Sequence, residues 1–284
     1  IYAHHGHEEP INVESASVCA ADALSAARPG ARREVLESFL KRVEEVENIS
    51  TSKLGVLNAY AINAGRMPDC SSSSDFIFRE IENEDQTAAE IVTLCQKQLP
   101  AMGYDPLTDV QVLSPMHRLP CGVSNLNKLL QEALNNPAND KSEYRTAAQV
   151  FRVGDKVMQI KNNYEKNVFN GDIGFIKDIL PQKVTVTYAE GNVDYQIAEC
   201  NQLILAYAMS VHKSQGSEYK IVILPLTAGH FIMLQRNLLY TAVTRAKEKV
   251  IILGTKKALY TAVQNNRTQK RYTLLAERLT HEIM

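Results

Sequence analysis

The chain has 284 residues, of which 45% are hydrophobic and 22% are charged, and its formal net charge is -1. This length allows two compact domains, and the composition is typical of a globular protein. No apolar run approaches the roughly 18 to 20 residues of a membrane span, so we expect no membrane partner. A net charge near zero neither favours nor excludes nucleic acid, because acidic surface elsewhere can balance a basic groove.

The five cysteines are scattered along the chain without a CxxC pair, and no secretory signal is recognisable at the N-terminus. Both features indicate a reduced, cytoplasmic setting. His4, His5 and His7 form a small cluster near the N-terminus. Such a cluster can bind a metal in principle, but on a terminal stretch it more often binds nothing, so we predict no metal site.

Residues 1–53 are an N-terminal helical segment that we cannot assign to a domain. Apolar residues recur at helical spacing in REVLESFLKRVEEVE, residues 33–47, and predict one helix there. The segment otherwise carries no pattern that points to a function.

Residues 54–145 alternate between predicted helices and strands. In chain order they are a helix over LNAYAINAGRMPD, a loop at 71–74, a strand over DFIFREI, a helix over EDQTAAEIVTLCQKQL, a buried strand over DVQVLSP, and a helix over SNLNKLLQEAL that Ser124 caps. A polar stretch at 135–145 reads as a linker. The alternation predicts a parallel sheet covered by helices.

Residues 146–202 have a different pattern. Short strands with turn residues every eight to twelve positions predict a small antiparallel barrel inserted into the α/β domain. The α/β pattern returns over residues 203–284, with strands predicted at LILAYA, KIVILPL and VIILG, and helices at RNLLYTAVTRA, KKALYTAV and KRYTLLAERLTHEI. The predicted fold is therefore an α/β parallel sheet interrupted by a small barrel.

Two segments carry residues suited to phosphate chemistry. The first follows the LILAYA strand and contains Ser210, His212, Lys213, Ser214, Gly216 and Glu218. Hydroxyls, a lysine and a glycine at the end of a parallel strand suit phosphate contacts, because such loops lie in the ligand crevice of an α/β sheet. Taken by itself, such a segment is more often a polar connecting loop.

The second segment is the helix that ends at Arg245, which places Tyr240, Thr241, Thr244 and Arg245 near one side. An arginine can make a forked contact with a phosphate and keeps its charge when partly buried. A helical arginine is, however, more often a surface charge.

A family resemblance decides between these alternatives. SVHKSQGSE resembles motif V and YTAVTRAKEKV resembles motif VI of superfamily 1 helicases, while QVLSPMHR resembles the motif IV strand. The stretch at 154–174 is similar to the SH3-like barrel that RecD-type enzymes insert into their second RecA-like domain, and AINAGRMPD also resembles the family. The chain is identified as the C-terminal motor half of a RecD-like helicase, the family of the exodeoxyribonuclease V alpha subunit, over about residues 54–260.

The resemblance implies a RecA-like parallel sheet with helices on both faces and an inserted SH3-like barrel. It also implies an ATP-dependent motor that moves 5′ to 3′ on single-stranded DNA, with ATP and Mg²⁺ bound mainly by an N-terminal RecA-like domain of the same polypeptide. By motif match, Arg245 would be the arginine finger.

The resemblance assigns the other site residues in three groups. Gly216 and Glu218 would bind nucleotide together with Arg245. Tyr240 and Thr241 would connect the nucleotide and DNA sites. The predicted DNA-binding residues are Ser210, His212, Lys213 and Ser214, with Lys161 and Asn163 in the barrel.

The printed sequence contains no P-loop of the form GxxxxGK[ST], and LGTKK at 253–257 does not replace it. We therefore expect this chain not to hydrolyse ATP alone. A stand-alone module that binds single-stranded nucleic acid without motor activity is the main alternative. Nuclease activity is a weaker one, because no carboxylate cluster for two-metal cleavage is recognisable.

Overall fold

The computed structural model describes residues 54–70, 75–138, 141–146 and 149–266, with side chains from Asn58 onward. Contacts divide the chain between Val56 and Leu57, and the architecture below belongs to the second unit. The predicted helices at 33–47 and 270–283 and the loop at 71–74 lie outside the described residues. Among those described, no helix is long and apolar enough to cross a membrane.

The described residues contain twelve β-strands and six α-helices; one of these helices, Leu99–Ala101, is a single short turn after the π-helix Leu94–Gln98 and is not numbered. The helices are α1 (Leu54–Asn63), α2 (Glu84–Thr93), α3 (Val123–Leu134), α4 (Arg236–Val243) and α5 (Lys256–Gln264). The strands are β1 (Phe76–Glu80), β2 (Val110–Ser114), β3 (Glu143–Arg145), β4 (Val150–Arg152), β5 (Lys156–Gln159), β6 (Ile173–Leu180), β7 (Lys183–Tyr188), β8 (Gly191–Gln196), β9 (Leu203–Leu205), β10 (Ala208–Ser210), β11 (Tyr219–Leu226) and β12 (Ala246–Gly254).

A five-stranded parallel sheet with the order β1-β12-β11-β2-β10 forms the centre of the fold. Its strands are apolar because both of its faces are covered. On one face, Val112, Ile221 and Ile223 join a cluster with residues of α2 and α3. On the other face, Val222 and Leu224 join a cluster with residues of α1, α4 and α5. The predicted parallel sheet with helices on both faces is confirmed.

The inserted segment forms a second, antiparallel sheet with the order β8-β7-β6-β5-β9, and β3 and β4 make a separate pair. Because β8 and β9 lie at opposite edges without a ladder between them, this sheet does not close into a barrel within the described residues. The insertion is confirmed, and its form is an open five-stranded sheet.

Three local predictions were wrong. LILAYA is not one strand of the parallel sheet, because Leu203–Leu205 pairs antiparallel with β5 and only Ala208–Ser210 enters the parallel sheet. The predicted linker contains β3, since Glu143–Arg145 pairs with β4. Finally, α3 has Gly122 as its N-cap instead of Ser124. A Cβ on Gly122 would lie 2.0 Å from the Arg118 carbonyl oxygen, so the backbone at this helix start requires glycine.

One buried carboxylate connects the inserted sheet to the central domain. Asp155, immediately before β5, accepts hydrogen bonds from Gln131 Nε2 at 2.6 Å and Asn135 Nδ2 at 2.7 Å on the α3 side. It also accepts from Tyr207 OH at 2.8 Å and from the Arg152 backbone N–H at 2.7 Å. Burial raises the pKa of Asp155, while these four donors act in the opposite direction. The segment that enters the inserted sheet and the segment that leaves it therefore both contact the Asp155 side chain.

We predict that Asp155→Ala lowers the free energy of unfolding by about 3 to 5 kcal/mol, because it leaves several buried donors without an acceptor. Tyr207→Phe is the matched control. It removes one donor and is expected to cost about 1 kcal/mol. Urea unfolding followed by circular dichroism measures both values, and equal costs for the two variants would contradict this role for Asp155.

Candidate functional site

The carboxyl ends of the central strands bring three loops to one edge of the sheet. Ser114 at the end of β2 is the register partner of Ser210 at the end of β10, so the segments that follow them start side by side. Strand β11 ends on the other side of β2, at Leu226, and a third loop begins there. We call the segments 115–122, 211–216 and 227–235 the edge loops.

His212 and Lys213 lie in a short 3-10 helix, Val211–Ser214, and are exposed. Partial burial lowers the pKa of Lys213. Within the described part of the chain, Lys213 makes no ion pair with an acidic side chain. Its ammonium group is therefore available to an anion at this edge.

The two serines predicted beside them are less accessible. Ser214 is fully buried, and its hydroxyl donates to the Val211 carbonyl oxygen at 2.7 Å. Ser210 is 8% exposed at the end of β10. The geometry gives Ser214 a role in shaping the turn, whereas His212 and Lys213 face solvent.

Arg245 lies at the other end of the sheet, between α4 and β12. Its Nε donates to the Thr241 carbonyl oxygen at 3.2 Å, and its Nη1 donates to the Ser217 carbonyl oxygen at 3.3 Å. The backbone N–H of Tyr219 donates to the Arg245 carbonyl oxygen at 2.9 Å. These contacts hold the two segments that the sequence singled out, 210–218 and 236–245, against each other at Arg245.

Gly216 and Glu218 follow the 3-10 helix toward Arg245. Gly216 has φ +89°, a backbone conformation that favours glycine, and a Cβ there would meet no atom within 4 Å. Glu218 forms an ion pair with Lys247 on β12 at 3.0 Å. Thus Gly216 leaves open space at the turn, while the Glu218 carboxylate is anchored to the strand that begins after Arg245.

A buried lysine from the inserted sheet reaches this region. Lys156 on β5 is 3% exposed, donates to the Val110 carbonyl oxygen at 3.3 Å and lies 5.9 Å from the centre of the Tyr219 ring. Burial lowers the pKa of Lys156 to about 8, with an opposing effect from Cys95. A cation at this distance is attracted to the ring face. The inserted sheet is thereby in contact with the strand that positions Arg245.

The predicted DNA-binding residues of the inserted segment differ in accessibility. Lys161 is exposed, and its carbonyl oxygen accepts a hydrogen bond from Gln159 Nε2 at 2.8 Å. Asn163 accepts from the Lys166 backbone N–H at 3.2 Å and forms an isolated bridge with Val168. Lys161 is accessible to a ligand, whereas Asn163 holds its own loop together.

The described residues contain no group of three or more histidine, cysteine, aspartate or glutamate side chains that could hold a metal ion. The group that could contact a nucleotide is a cation, the Arg245 guanidinium, which lies near the open turn at Gly216. These residues fit the phosphate end of a nucleotide.

Three features of the site were not predicted. Lys156 lies in a strand whose pattern gave no reason to single it out. His117 and Arg118 are exposed in the first edge loop, and Phe231 and Ile232 are exposed in the third. The HR dipeptide, separated from the end of β2 by two residues, was a signal that could have identified the first pair.

Two family models match the chain. The ATP-dependent RecD-like DNA helicase SH3 domain matches residues 126–188, from α3 through β7. The UvrD-like helicase C-terminal domain matches residues 205–253, from the end of β9 into β12. The second match includes both segments that meet at Arg245.

Two kinds of curated relative match different lengths of the chain. The ATP-dependent RecD2 DNA helicase of Deinococcus radiodurans is 38% identical over 198 residues, which cover 70% of this chain and 26% of the helicase. Ribonuclease Y of Aliarcobacter butzleri is 98% identical over 66 residues, which cover 23% of this chain and 13% of the ribonuclease. The chain thus spans about a quarter of the helicase and a smaller part of the ribonuclease.

Among solved structures, the Bacteroides Pif1 helicase in complex with ADP-AlF3 and ssDNA covers 82% of this chain and 55% of its own, with a TM-score of 0.46 and 15% identity. Pif1 helicase from Candida albicans gives a TM-score of 0.45 at 17% identity. Scores at this level do not transfer ligand positions from one chain to the other.

The buried position of Lys156 predicts a pH effect on stability. Its pKa is about 8 in the folded chain and has the ordinary value of 10.5 in the unfolded chain. Between these values the unfolded state holds more protons, so the stability of the native protein rises with pH. Relative to Lys156→Met, it should gain about 3 kcal/mol between pH 7.5 and 10.5.

Urea unfolding at several pH values measures this difference. The Met variant is the appropriate reference because it keeps the volume of the side chain and all other titrating groups. A stability difference that stays constant across this pH range would contradict a desolvated Lys156.

Proposed function

The chain belongs to the RecD-like helicases of superfamily 1 and corresponds to their C-terminal region. We propose that its described part is the second RecA-like domain of a helicase that uses ATP to move 5′ to 3′ on single-stranded DNA. The observation that carries this proposal is the contact between the motif V and motif VI segments at Arg245, where Nη1 lies 3.3 Å from the Ser217 carbonyl oxygen.

In the proposed mechanism, ATP and Mg²⁺ are bound mainly by the N-terminal RecA-like domain of the same polypeptide. Arg245 faces them from this domain and stabilises negative charge on the γ-phosphate as it is transferred. The contacts of Arg245 with Thr241 and Ser217 fix its guanidinium before nucleotide binds. Gly216 leaves room for phosphate near this turn, and the Glu218–Lys247 pair holds the turn against β12.

Single-stranded DNA is proposed to cross the edge loops, with His212 and Lys213 at its phosphates. Both side chains are exposed at the carboxyl ends of parallel strands, where ligands of open α/β sheets bind. Ser210 lies next to this site, and the buried Ser214 stabilises the turn that carries His212 and Lys213. Lys161 offers a second phosphate contact from the inserted sheet, and Asn163 positions that loop.

We propose that residues 54–145 and 206–284 form the second RecA-like domain and that residues 146–205 form the inserted SH3-like domain. This boundary lies three residues beyond the one expected from the sequence, because β9 pairs with β5 and ends at Leu205. A cytoplasmic location suits a DNA motor of this kind.

The position of the ribonuclease Y match in this chain can be narrowed by counting residues. The helicase models occupy residues 126–253, and only 31 residues follow residue 253, too few for a 66-residue match. We infer that this match lies within residues 1–125 and includes the unassigned N-terminal segment. AINAGRMPD is then no longer a secure helicase feature.

The short ribonuclease-like stretch does not by itself favour nuclease activity. It corresponds to 13% of ribonuclease Y, and an active site requires residues from across a folded domain. We propose that this stretch is joined to the helicase segment without contributing to its motor chemistry.

The alternative function, a stand-alone module that binds single-stranded nucleic acid, differs from a motor in its need for a P-loop. The sequence contains no P-loop. A motor requires that loop on a partner domain, whereas a binding module does not. The contacts that pin Arg245 favour the motor, because binding DNA at the opposite edge does not require a fixed arginine there.

We predict that the chain binds fluorescently labelled oligo-dT at low salt and that His212→Ala/Lys213→Ala weakens this binding. Loss of the Lys213 contact should reduce the slope of log K against log salt by about 0.7, the contribution of one phosphate contact on a single strand. Fluorescence anisotropy across a salt series measures both effects.

Lys97→Ala is the matched control, because Lys97 is an exposed lysine in the π-helix Leu94–Gln98, which follows α2. This variant should bind as the native chain does. Equal binding by the native chain and the double variant would contradict the placement of DNA on motif V.

The role of Arg245 can be tested in an active motor. When the matched 198-residue segment replaces its counterpart in Deinococcus radiodurans RecD2, Arg245→Ala should lower kcat for ATP by about 10³-fold or more and change ATP affinity little. Arg245→Lys should recover only part of the loss, since lysine lacks the fork.

Lys257→Ala, an exposed lysine on α5, is the control in this exchange. The comparison is made with the exchanged enzyme that carries Arg245. Unchanged turnover in Arg245→Ala would remove the arginine-finger assignment.

A further inference from the structure

The edge loops present large apolar side chains to solvent. Phe231 is 71% exposed and Ile232 is 75% exposed in the third loop, and Leu119 is 43% exposed in the first. Side chains of this size are usually buried, and a group of them on one edge of a domain marks a binding surface.

These side chains are held on ordered backbone. The 3-10 helix Ala228–Met233 is closed by reciprocal contacts between Thr227 and His230. Gly229 N–H donates to Glu84 Oε1 at 2.8 Å, which ties the helix to the start of α2. Phe231 and Ile232 are therefore displayed by a fixed turn, and their exposure is built into the fold.

The first loop is fixed as well and lies against the third. The Gly122 backbone N–H donates to the Leu119 carbonyl oxygen at 2.9 Å, and Ser114 Oγ lies 2.7 Å from the Cys121 carbonyl oxygen. Leu119 has φ +79°, a costly conformation for a leucine. Its Cδ1 lies 3.0 Å from the position that a Cβ on Gly229 would occupy, so the two loops are in contact there.

Basic side chains border this apolar group. His117 and Arg118 precede Leu119 and are exposed, and neither forms an ion pair within the described ranges. His212 and Lys213 stand on the neighbouring loop, since β10 lies next to β2. The cations Arg118 and Lys213, with two imidazole groups beside them, therefore lie next to the exposed apolar side chains. The acidic Glu84 at this edge is bound to the Gly229 backbone.

A single-stranded nucleic acid matches this arrangement better than a protein surface does. Its phosphates suit the cations, and its bases offer flat apolar faces that stack on aromatic rings, with about 1 to 3 kcal/mol per base. Building on the proposed function, we propose that Phe231, with Ile232 and Leu119 beside it, contacts the bases of the single strand whose phosphates lie at Arg118, His212 and Lys213.

The test compares two oligonucleotides of equal length, oligo-dT and an abasic strand with the same phosphates. Phe231→Ala/Ile232→Ala should weaken binding of oligo-dT about tenfold and leave binding of the abasic strand within about twofold. Arg118→Ala should weaken both. Tyr260→Ala is the matched control, because Tyr260 is 56% exposed on α5, outside the edge loops, and it should change neither.

A second variant reports the contact directly. The chain has no tryptophan, so Phe231→Trp introduces a single indole at the proposed base contact while keeping an aromatic ring. Its emission should be quenched by oligo-dT and not by the abasic strand. Melting curves of each variant by circular dichroism show that the fold is retained.

The outcomes separate this proposal from the proposed function. Unchanged oligo-dT binding by Phe231→Ala/Ile232→Ala, equal losses on both strands, or no base-dependent quenching would overturn the base contact. In each case a continued requirement for His212 and Lys213 would leave the helicase assignment in place, with the apolar group then a protein-docking surface. Failure of the native chain to bind either strand at low salt would overturn both.

Discussion

The arrangement of the whole unit depends on the buried carboxylate of Asp155. Removing a carboxylate from water is unfavourable unless donors replace the lost hydration, and here four donors from three parts of the chain do so. Because those donors come from α3, from β4 and from the segment that leaves the insertion, the inserted sheet has one orientation relative to the parallel sheet. The next residue, Lys156, then enters the space beneath Tyr219. The insertion and the Arg245 region are consequently parts of one packed structure.

The residues proposed to contact DNA and the arginine proposed to contact nucleotide lie at opposite ends of the parallel sheet. The edge loops at the carboxyl ends carry His212, Lys213 and the exposed apolar group, while Arg245 lies where β12 begins. The segment 211–218 runs from one end to the other, since it connects the end of β10 with the start of β11. A shift of the strand contacts at one end would therefore move the backbone that holds Arg245 at the other. In the proposed mechanism, this connection couples nucleotide chemistry at Arg245 to movement along DNA.

Much of the architecture could be predicted because it depends on local patterns. The alternation of apolar strands and amphipathic helices determines the parallel sheet, and recurring turn residues mark the insertion. The assignment of β9 could not be predicted, because LILAYA is uniformly apolar and the break at Ala206 and Tyr207 arises from tertiary contacts. For the same reason the buried lysine was missed: nothing beside Lys156 in the sequence indicates that it is desolvated. The motifs identified the segments at Arg245, but accessibility distinguished His212 and Lys213 from the buried Ser214.

The most direct test of the account is hydrogen exchange followed by mass spectrometry, with and without oligo-dT. If the carboxyl-end edge of the parallel sheet is the DNA site of a motor domain, slowed exchange should appear in peptides covering 115–122, 211–216 and 227–235. Peptides from α5 and from β7 and β8 should be unchanged. Protection confined to the N-terminal 53 residues or to the inserted sheet, with the three edge loops unaffected, would contradict the central claim.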